Sequence, residues 1–363
     1  MRDRYTMTFP DYTVGVEAYE KIREVCPRYG KTVVVIGGRR GVEAAQEKII
    51  AATEGVGLEF TGFLHAGGET SYENITKLSR DQAVMEADMV FAVGGGKAID
   101  TAKVVASELR KPYFTFPTVA GSCAAISGIA TIYTPEGRFQ EYARRRVPPV
   151  HSFLCSRIMA QAPVCFLLRG ISDTVAKYYE AQISSRGKTL CHTDAMGLAV
   201  SRLCADPVYA YGVQAVQDNK RGIVSSAFEE EVMLSVVVSS GMVSNFAAPE
   251  FNGHIAHTLY EELSTLPRSE QSETHGGLAA YGTLLLLLAD GQREEFERLH
   301  AFCQQIGLPV SRKAIGATEE EIHRVFQATE EHQDVKILPY KITQDMLRGA
   351  AEELEDYNKG ARK

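Results

Sequence analysis

Asp173 in "GISDTVAKYYEA", His254 and His257 in "GHIAH", and His275 in "THGGLAAYG" have side chains of the types that hold metal ions. One carboxylate with two imidazoles is the set a catalytic zinc or ferrous centre uses while keeping positions open for substrate. Taken singly, each histidine reads first as an ordinary satisfied side chain. His257 follows His254 by one helical turn on the same face, where it lines the site or serves as an outer donor or proton relay. A metal held this way polarises a carbonyl as a Lewis acid, so no side chain has to be a nucleophile.

A second candidate is "GGGKAIDTAK", residues 94–103, which follows the apolar run Met89 to Val93. It is neither the dinucleotide fingerprint nor a phosphate-binding P-loop. Stacked glycines at a strand-to-helix turn let backbone amides approach a pyrophosphate, and the new helix points its positive end at the same anion. The plainer alternative is a tight turn that needs positive φ. Lys97, Asp100 and Lys103 recur at three-residue spacing along one helix face.

The elements that must carry these residues follow from apolar patterning. Runs at 32–36, 57–60, 89–93 and 113–117 alternate with helical segments from about Val42, near 72–78, and from Lys97. Such alternation predicts a parallel sheet with crossover helices, which binds ligands beyond the carboxyl ends of its strands. Gly37-Gly38 and Gly94-Gly95-Gly96 both fall there. After Pro163 only helical periodicity remains, and the tail "MLRGAAEELEDYNKGARK" reads as a surface helix. The expected division is an α/β domain over 1–162 and an all-α domain over 163–363.

Composition bounds the function class. The chain has 363 residues, 45% of them hydrophobic and 23% charged, enough for two packed cores. A net charge of -7 without a basic stripe argues against a nucleic-acid binder, and Arg144-Arg145-Arg146 reads as a solvated loop edge. The longest apolar run, 284–289, is too short to span a bilayer, and no signal segment is evident, so the expected location is cytoplasmic. The seven cysteines are scattered without metal or redox spacing.

In order along the chain, "GGGKAIDTAK", "FPTVAGSCAAISGIATIYTPEG", "APVCFLLRGISDTVAKYYEA", "GHIAH" and "HGGLAAYG" resemble the iron-containing alcohol dehydrogenase superfamily, in its glycerol dehydrogenase and hydroxycarboxylate dehydrogenase-like branch. The resemblance implies a Rossmann-like α/β domain for a nicotinamide nucleotide and a helical domain for metal and substrate, together a dehydroquinate-synthase-like fold. It places Gly95, Gly96 and Lys97 at the pyrophosphate, with Asp100 close by, Thr118 near the adenine, and Gly121, Ser127, Ile129 and Tyr133 along the rest of the cofactor. It makes Asp173, His254 and His275 the ligands of one divalent metal, zinc ahead of iron, with His257 beside them. It also implies hydride transfer with NAD(H) or NADP(H), a small-molecule substrate, no membrane partner and a homo-oligomer.

The sequence departs from that pattern at three places. Cys123 stands where the glycerol branch carries an aspartate that holds the polyol; a neutral thiol removes repulsion toward an anion, so a 2-oxo or 2-hydroxy acid becomes the favoured substrate and glycerol the alternative. A cysteine-alanine pair there is similar to the hydroxycarboxylate branch. At the end of the first long strand, "VVVIGGRRG" offers Gly37 and Gly38 where NAD-preferring members place an acid, and Arg39 or Arg40 can pair with a 2′-phosphate. Finally, "HIAHTLYEELSTLPRSEQSETHGG" is longer than the family segment and carries Tyr260-Glu261-Glu262. Two other readings compete: a dehydroquinate-synthase-like cyclase, which wants more basic residues in the helical domain, and a silent binding protein, which has no use for all three ligand-type residues.

Overall fold

The computed structural model describes residues 7–144, 147–253, 255–264, 277–336 and 338–360. The described chain forms two compact units, one within Met1–Ala162 together with Arg221–Val224, the other within Pro163–Lys220 and Ser225–Lys363.

The strands of the first unit are β1 (Asp11–Gly15), β2 (Thr32–Gly37), β3 (Glu59–His65), β4 (Met89–Gly94), β5 (Tyr113–Pro117), β6 (Ile129–Tyr133), β7 (Phe139–Arg144) and β8 (His151–Cys155). Six form one parallel sheet in the order β3-β2-β4-β5-β8-β1, while β6 and β7 pair as an antiparallel hairpin. The central strands are apolar on both faces, as a sheet covered by crossover helices requires: Val33 to Ile36 and Met89 to Val93 have no exposed surface. Phe91, Phe114, Phe116 and Phe153 pack between neighbouring strands, with the last two stacked at 4.9 Å between ring centroids.

β2 has β3 on one side and β4 on the other. The chain therefore leaves β2 in one direction and crosses back over it before β4, which makes the carboxyl ends of β2 and β4 the switch point where such sheets take ligands. The β2 end leads into the helix Arg39–Thr53 and the β4 end into the helix Gly96–Glu108.

In the second unit the described residues form helices and turns only. Val164–Ser184 runs for 21 residues directly after Pro163. Leu278–Ala289 is buried at every position from Leu278 to Leu287, as a helix apolar all round must be. The tail helix Gln344–Gly360 buries Leu347, Ala350 and Leu354 along one stripe. Among the described residues no helix is long and apolar enough to cross a membrane.

Candidate functional site

At the switch point the two glycine clusters are knitted together by backbone. Gly38 N donates to Val93 O at 3.1 Å, and Thr118 N donates to Gly94 O at 3.1 Å. Gly94 has φ +134°, a conformation that L side chains rarely adopt. Gly41, in the first turn of the helix after β2, lies so close to β4 that a Cβ there would stand 2.6 Å from Gly94 Cα. The helices Arg39–Thr53 and Gly96–Glu108 begin at Gly38 and Gly95, and neither has a side-chain cap nor an acid in its first turn. Uncapped first-turn amides at two helix starts, with Arg39, Arg40 and Lys97 exposed on them, fit the phosphates of a dinucleotide.

The other residues expected along the cofactor lie in the same unit, with more internal bonding than their types suggested. Lys97 donates to Glu69 Oε1 at 2.6 Å and stands 5.0 Å from the Tyr133 ring centroid. Asp100 is buried, with Lys103 at one carboxylate oxygen and the Thr131 amide at the other. Thr118, Gly121 and Ser127 are buried, and the Ser127 hydroxyl donates to Ile129 O. Ile129, Tyr133 and Cys123 are half-buried, and Cys123 O accepts from the amides of Ile126 and Ser127, closing a tight turn after β5.

The second unit assembles a polar row inside the helical core. Asp173, Lys177 and Glu180 recur at i, i+4 and i+7 on the helix Val164–Ser184, so all three point the same way. Facing them is His257 at the start of the helix Ile255–Ser264. His257 Nε2 lies 3.0 Å from Asp173 Oδ1, its Nδ1 meets Glu180 Oε2, and its main-chain amide donates to Glu180 Oε1 at 3.0 Å. Because the carboxylates sit at opposite ring nitrogens, they flank the imidazole instead of converging with it on one point. The Glu180 side chain has no exposure while Asp173 keeps 29%, so the row opens at Asp173. Lys177 Nζ donates to Ser244 Oγ and Asn252 Oδ1, which ties the segment just before His254 to the same helix.

Electrostatics agree with that geometry. Burial would raise the Asp173 carboxyl, but the hydrogen bond and charge of His257, with Lys177 and Arg169, hold it below its ordinary value. Arg169 also donates to the Tyr260 hydroxyl at 2.9 Å. Burial would lower the His257 imidazole, but Glu180 and Asp173 outweigh it and hold it well above the usual range. The row's charges balance internally, and Asp173 is its one ionised carboxylate with exposed surface, a donor that fits a divalent metal at that end. Among the described residues no set of three metal-ligating side chains forms, and His254 and His275 lie outside the described residues.

Lys177, Glu180 and Glu69 were not singled out from sequence. The first two carried a signal, the four- and seven-residue spacing from Asp173 on one face of a largely buried helix. Glu69, in the loop after β3, carried none.

Comparison with known proteins matches residues 10–154 to the family described as iron-containing alcohol dehydrogenase. A glycerol dehydrogenase of Thermotoga maritima is 31% identical over 350 residues, 93% of this chain and 93% of that protein. Hydroxycarboxylate dehydrogenase A of Escherichia coli is 28% identical over 329 residues, 89% of each. The solved structure of glycerol dehydrogenase from Schizosaccharomyces pombe superposes with a TM-score of 0.87 at 26% identity, covering 99% of this chain and 92% of that one.

Proposed function

From the premise that this chain belongs to the iron-containing alcohol dehydrogenase family and is an oxidoreductase acting on CH–OH donors, we propose that it interconverts a small polyol of the glycerol class and its carbonyl, using NAD(P) and a divalent metal, zinc ahead of iron. The observation that carries this reading is the Asp173–His257–Glu180 row, which holds an ionised carboxylate at a partly exposed end of a largely buried helix. The glycerol dehydrogenases among the relatives weigh for the polyol over the 2-oxo acid that Cys123 favours. A 2-hydroxy acid remains the second reading, because a neutral Cys123 thiol suits an anion and one relative is a hydroxycarboxylate dehydrogenase.

In this reading Asp173, His254 and His275 hold the metal, which when bound supplies Lewis-acid polarisation of the carbonyl oxygen. His257 keeps the Asp173 carboxylate ionised and turned outward, and Glu180 fixes the imidazole by accepting at Nδ1. In the first unit the amides at Gly95 and Gly96 bind the nucleotide phosphates, and Tyr133 and Ile129 orient its nicotinamide end.

Cofactor choice follows from β2. An acid at its end would accept from a ribose hydroxyl and repel a 2′-phosphate; Gly37 and Gly38 do neither, and Arg39 and Arg40 are exposed one step beyond. NADPH is therefore expected to serve at least as well as NADH. One charge-assisted contact is worth roughly 1.5 to 3 kcal/mol, so Arg39→Ala or Arg40→Ala should raise the KM for NADPH by about one to two decades and leave that for NADH unchanged. A wild-type preference for NADH of about tenfold or more would contradict this. Initial rates with both reduced cofactors against dihydroxyacetone and a set of 2-oxo acids test the substrate: fastest turnover of dihydroxyacetone is expected, and turnover of 2-oxo acids alone would move the second reading to first place.

A further inference from the structure

The stripe Lys97, Asp100 and Lys103 on the helix Gly96–Glu108 does not act as one anion-binding row. Lys103 has no exposed surface, yet its ammonium is satisfied by Asp100 Oδ1 at 2.7 Å and Ile129 O at 2.5 Å. Asp100 Oδ2 accepts from the Thr131 amide at 3.1 Å. Two residues further on, the Tyr133 amide donates to Thr70 O at 2.9 Å, and the Thr70 hydroxyl donates to Lys97 O at 2.9 Å. The groups engaged, at 129, 131 and 133, all belong to the edge of β6 that faces away from β7.

Among the described residues no strand pairs with that edge, and the hairpin consists of β6 and β7. Its half-buried carbonyl and amides would be costly without partners. The ion pair supplies one donor and one acceptor at two-residue spacing, which matches the strand repeat. A slip of β6 by one residue would turn these groups toward β7 and put Ala130 and Ile132, both without exposure, on the wrong face. An apolar pair of the same volume would fill the space but could not read the register. A wholly buried cation is expensive to keep for stability alone.

We propose that Asp100 and Lys103 are positioning residues for the nucleotide: they lock the register of β6 on the glycine-motif helix, and so set Ile129 and Tyr133 against Gly95, Gly96 and Lys97 without touching the cofactor themselves. The proposal rests on reading residues 127–133 as the nicotinamide side of the site.

The test compares wild type, Lys103→Met and the double variant Asp100→Leu with Lys103→Met, an apolar pair that offers the Thr131 amide no acceptor. Thermal stability, NADH and NADPH binding by fluorescence titration, and hydrogen exchange of the Thr131 and Tyr133 amides without nucleotide are measured on each. Lys103→Met alone strands a buried carboxylate and lowers Tm, whereas the double variant regains most of it. Positioning requires that the double variant still bind the reduced nucleotide about ten- to a hundredfold more weakly and exchange Thr131 faster. Wild-type affinity in the restabilised double variant overturns the proposal. Should that variant not fold, Asp100→Glu keeps the charge and moves the carboxylate by one methylene; an increase of at least about fivefold in nucleotide KM with kcat within about twofold supports positioning, and an unchanged KM overturns it. Failure of wild type to bind either nucleotide removes the underlying functional reading, which is distinct from binding that the variants leave intact.

Discussion

Asp173→Ala is expected to lower kcat by roughly three orders of magnitude, and Asp173→Asn by nearly as much, with loss of bound metal in both. Lewis-acid stabilisation of a developing alkoxide is worth several kcal/mol, and about 1.4 kcal/mol corresponds to each decade of rate. Asp173 is the partly exposed end of a row whose other carboxylate is sealed, so it is the anion available to an incoming ion. Losing its contact with His257 costs stability of only about 1 kcal/mol, because the imidazole keeps Glu180. Metal content, kcat and Tm measured together separate the two effects. Asp173→Asn with kcat within about tenfold of wild type would show that this carboxylate is not a ligand.

Glu180→Ala should be the most damaging change among residues that touch neither metal nor substrate. The carboxylate accepts both from the His257 ring and from the His257 amide at the opening turn of the helix Ile255–Ser264, where a first-turn donor has no partner within its own helix. Removing it frees the imidazole to turn and leaves a buried donor unsatisfied, for about 1–3 kcal/mol of stability. Partners of this kind typically contribute about ten- to a hundredfold in metal affinity or activity. Glu180→Gln keeps an oxygen for the amide but cannot balance the imidazole's charge, so it should regain most of the Tm and little of the activity. Equal recovery of both would make Glu180 a purely structural residue, and so would a Glu180→Ala enzyme with wild-type kcat.

Local patterning made much of the first unit legible. The apolar runs of β2, β4 and β5 are buried on both faces and lie close to the positions their composition indicated. β3 runs on to His65, beyond the expected 57–60, with exposed and half-buried residues that dilute its pattern. β8 was not foreseen, because His151 and Ser152 interrupt an apolar run. In the fold both are buried and satisfied, His151 by Thr13 and Ser152 by Thr115 and Ala125 O. β1 is an exposed edge strand whose mixed sequence gives no alternation. The hairpin β6–β7 did leave a signal in "YTPEG", where Gly137 takes φ +84° and its amide returns to Thr134 O.

For the candidate site, residue type pointed to Asp173 and its helix but not to the partners that surround it. Asp100 and Lys103 looked like companions of Lys97 at an anion, since spacing fixes a shared face but not what lies across from it. The three-residue step from His254 to His257 was visible, whereas the Glu180 that orients His257 lies 77 positions away and becomes its neighbour only when two helices pack. Cys123 shows the limit most plainly. Its half-buried place in a turn after β5 is compatible with either substrate class, so the chemistry of that position is decided by what binds, not by how the chain folds.

The most direct measurement is the rate of glycerol-dependent reduction of NAD(P)+ by enzyme stripped with a chelator, before and after zinc or ferrous ion is returned, in wild type and Asp173→Ala. Stripped wild type should be inactive and regain its rate with about one equivalent of metal per chain, while Asp173→Ala stays inactive at every metal concentration. Full activity in the stripped wild-type enzyme, or rescue of Asp173→Ala by the same equivalent of metal, would contradict a metal-dependent alcohol dehydrogenase centred on Asp173.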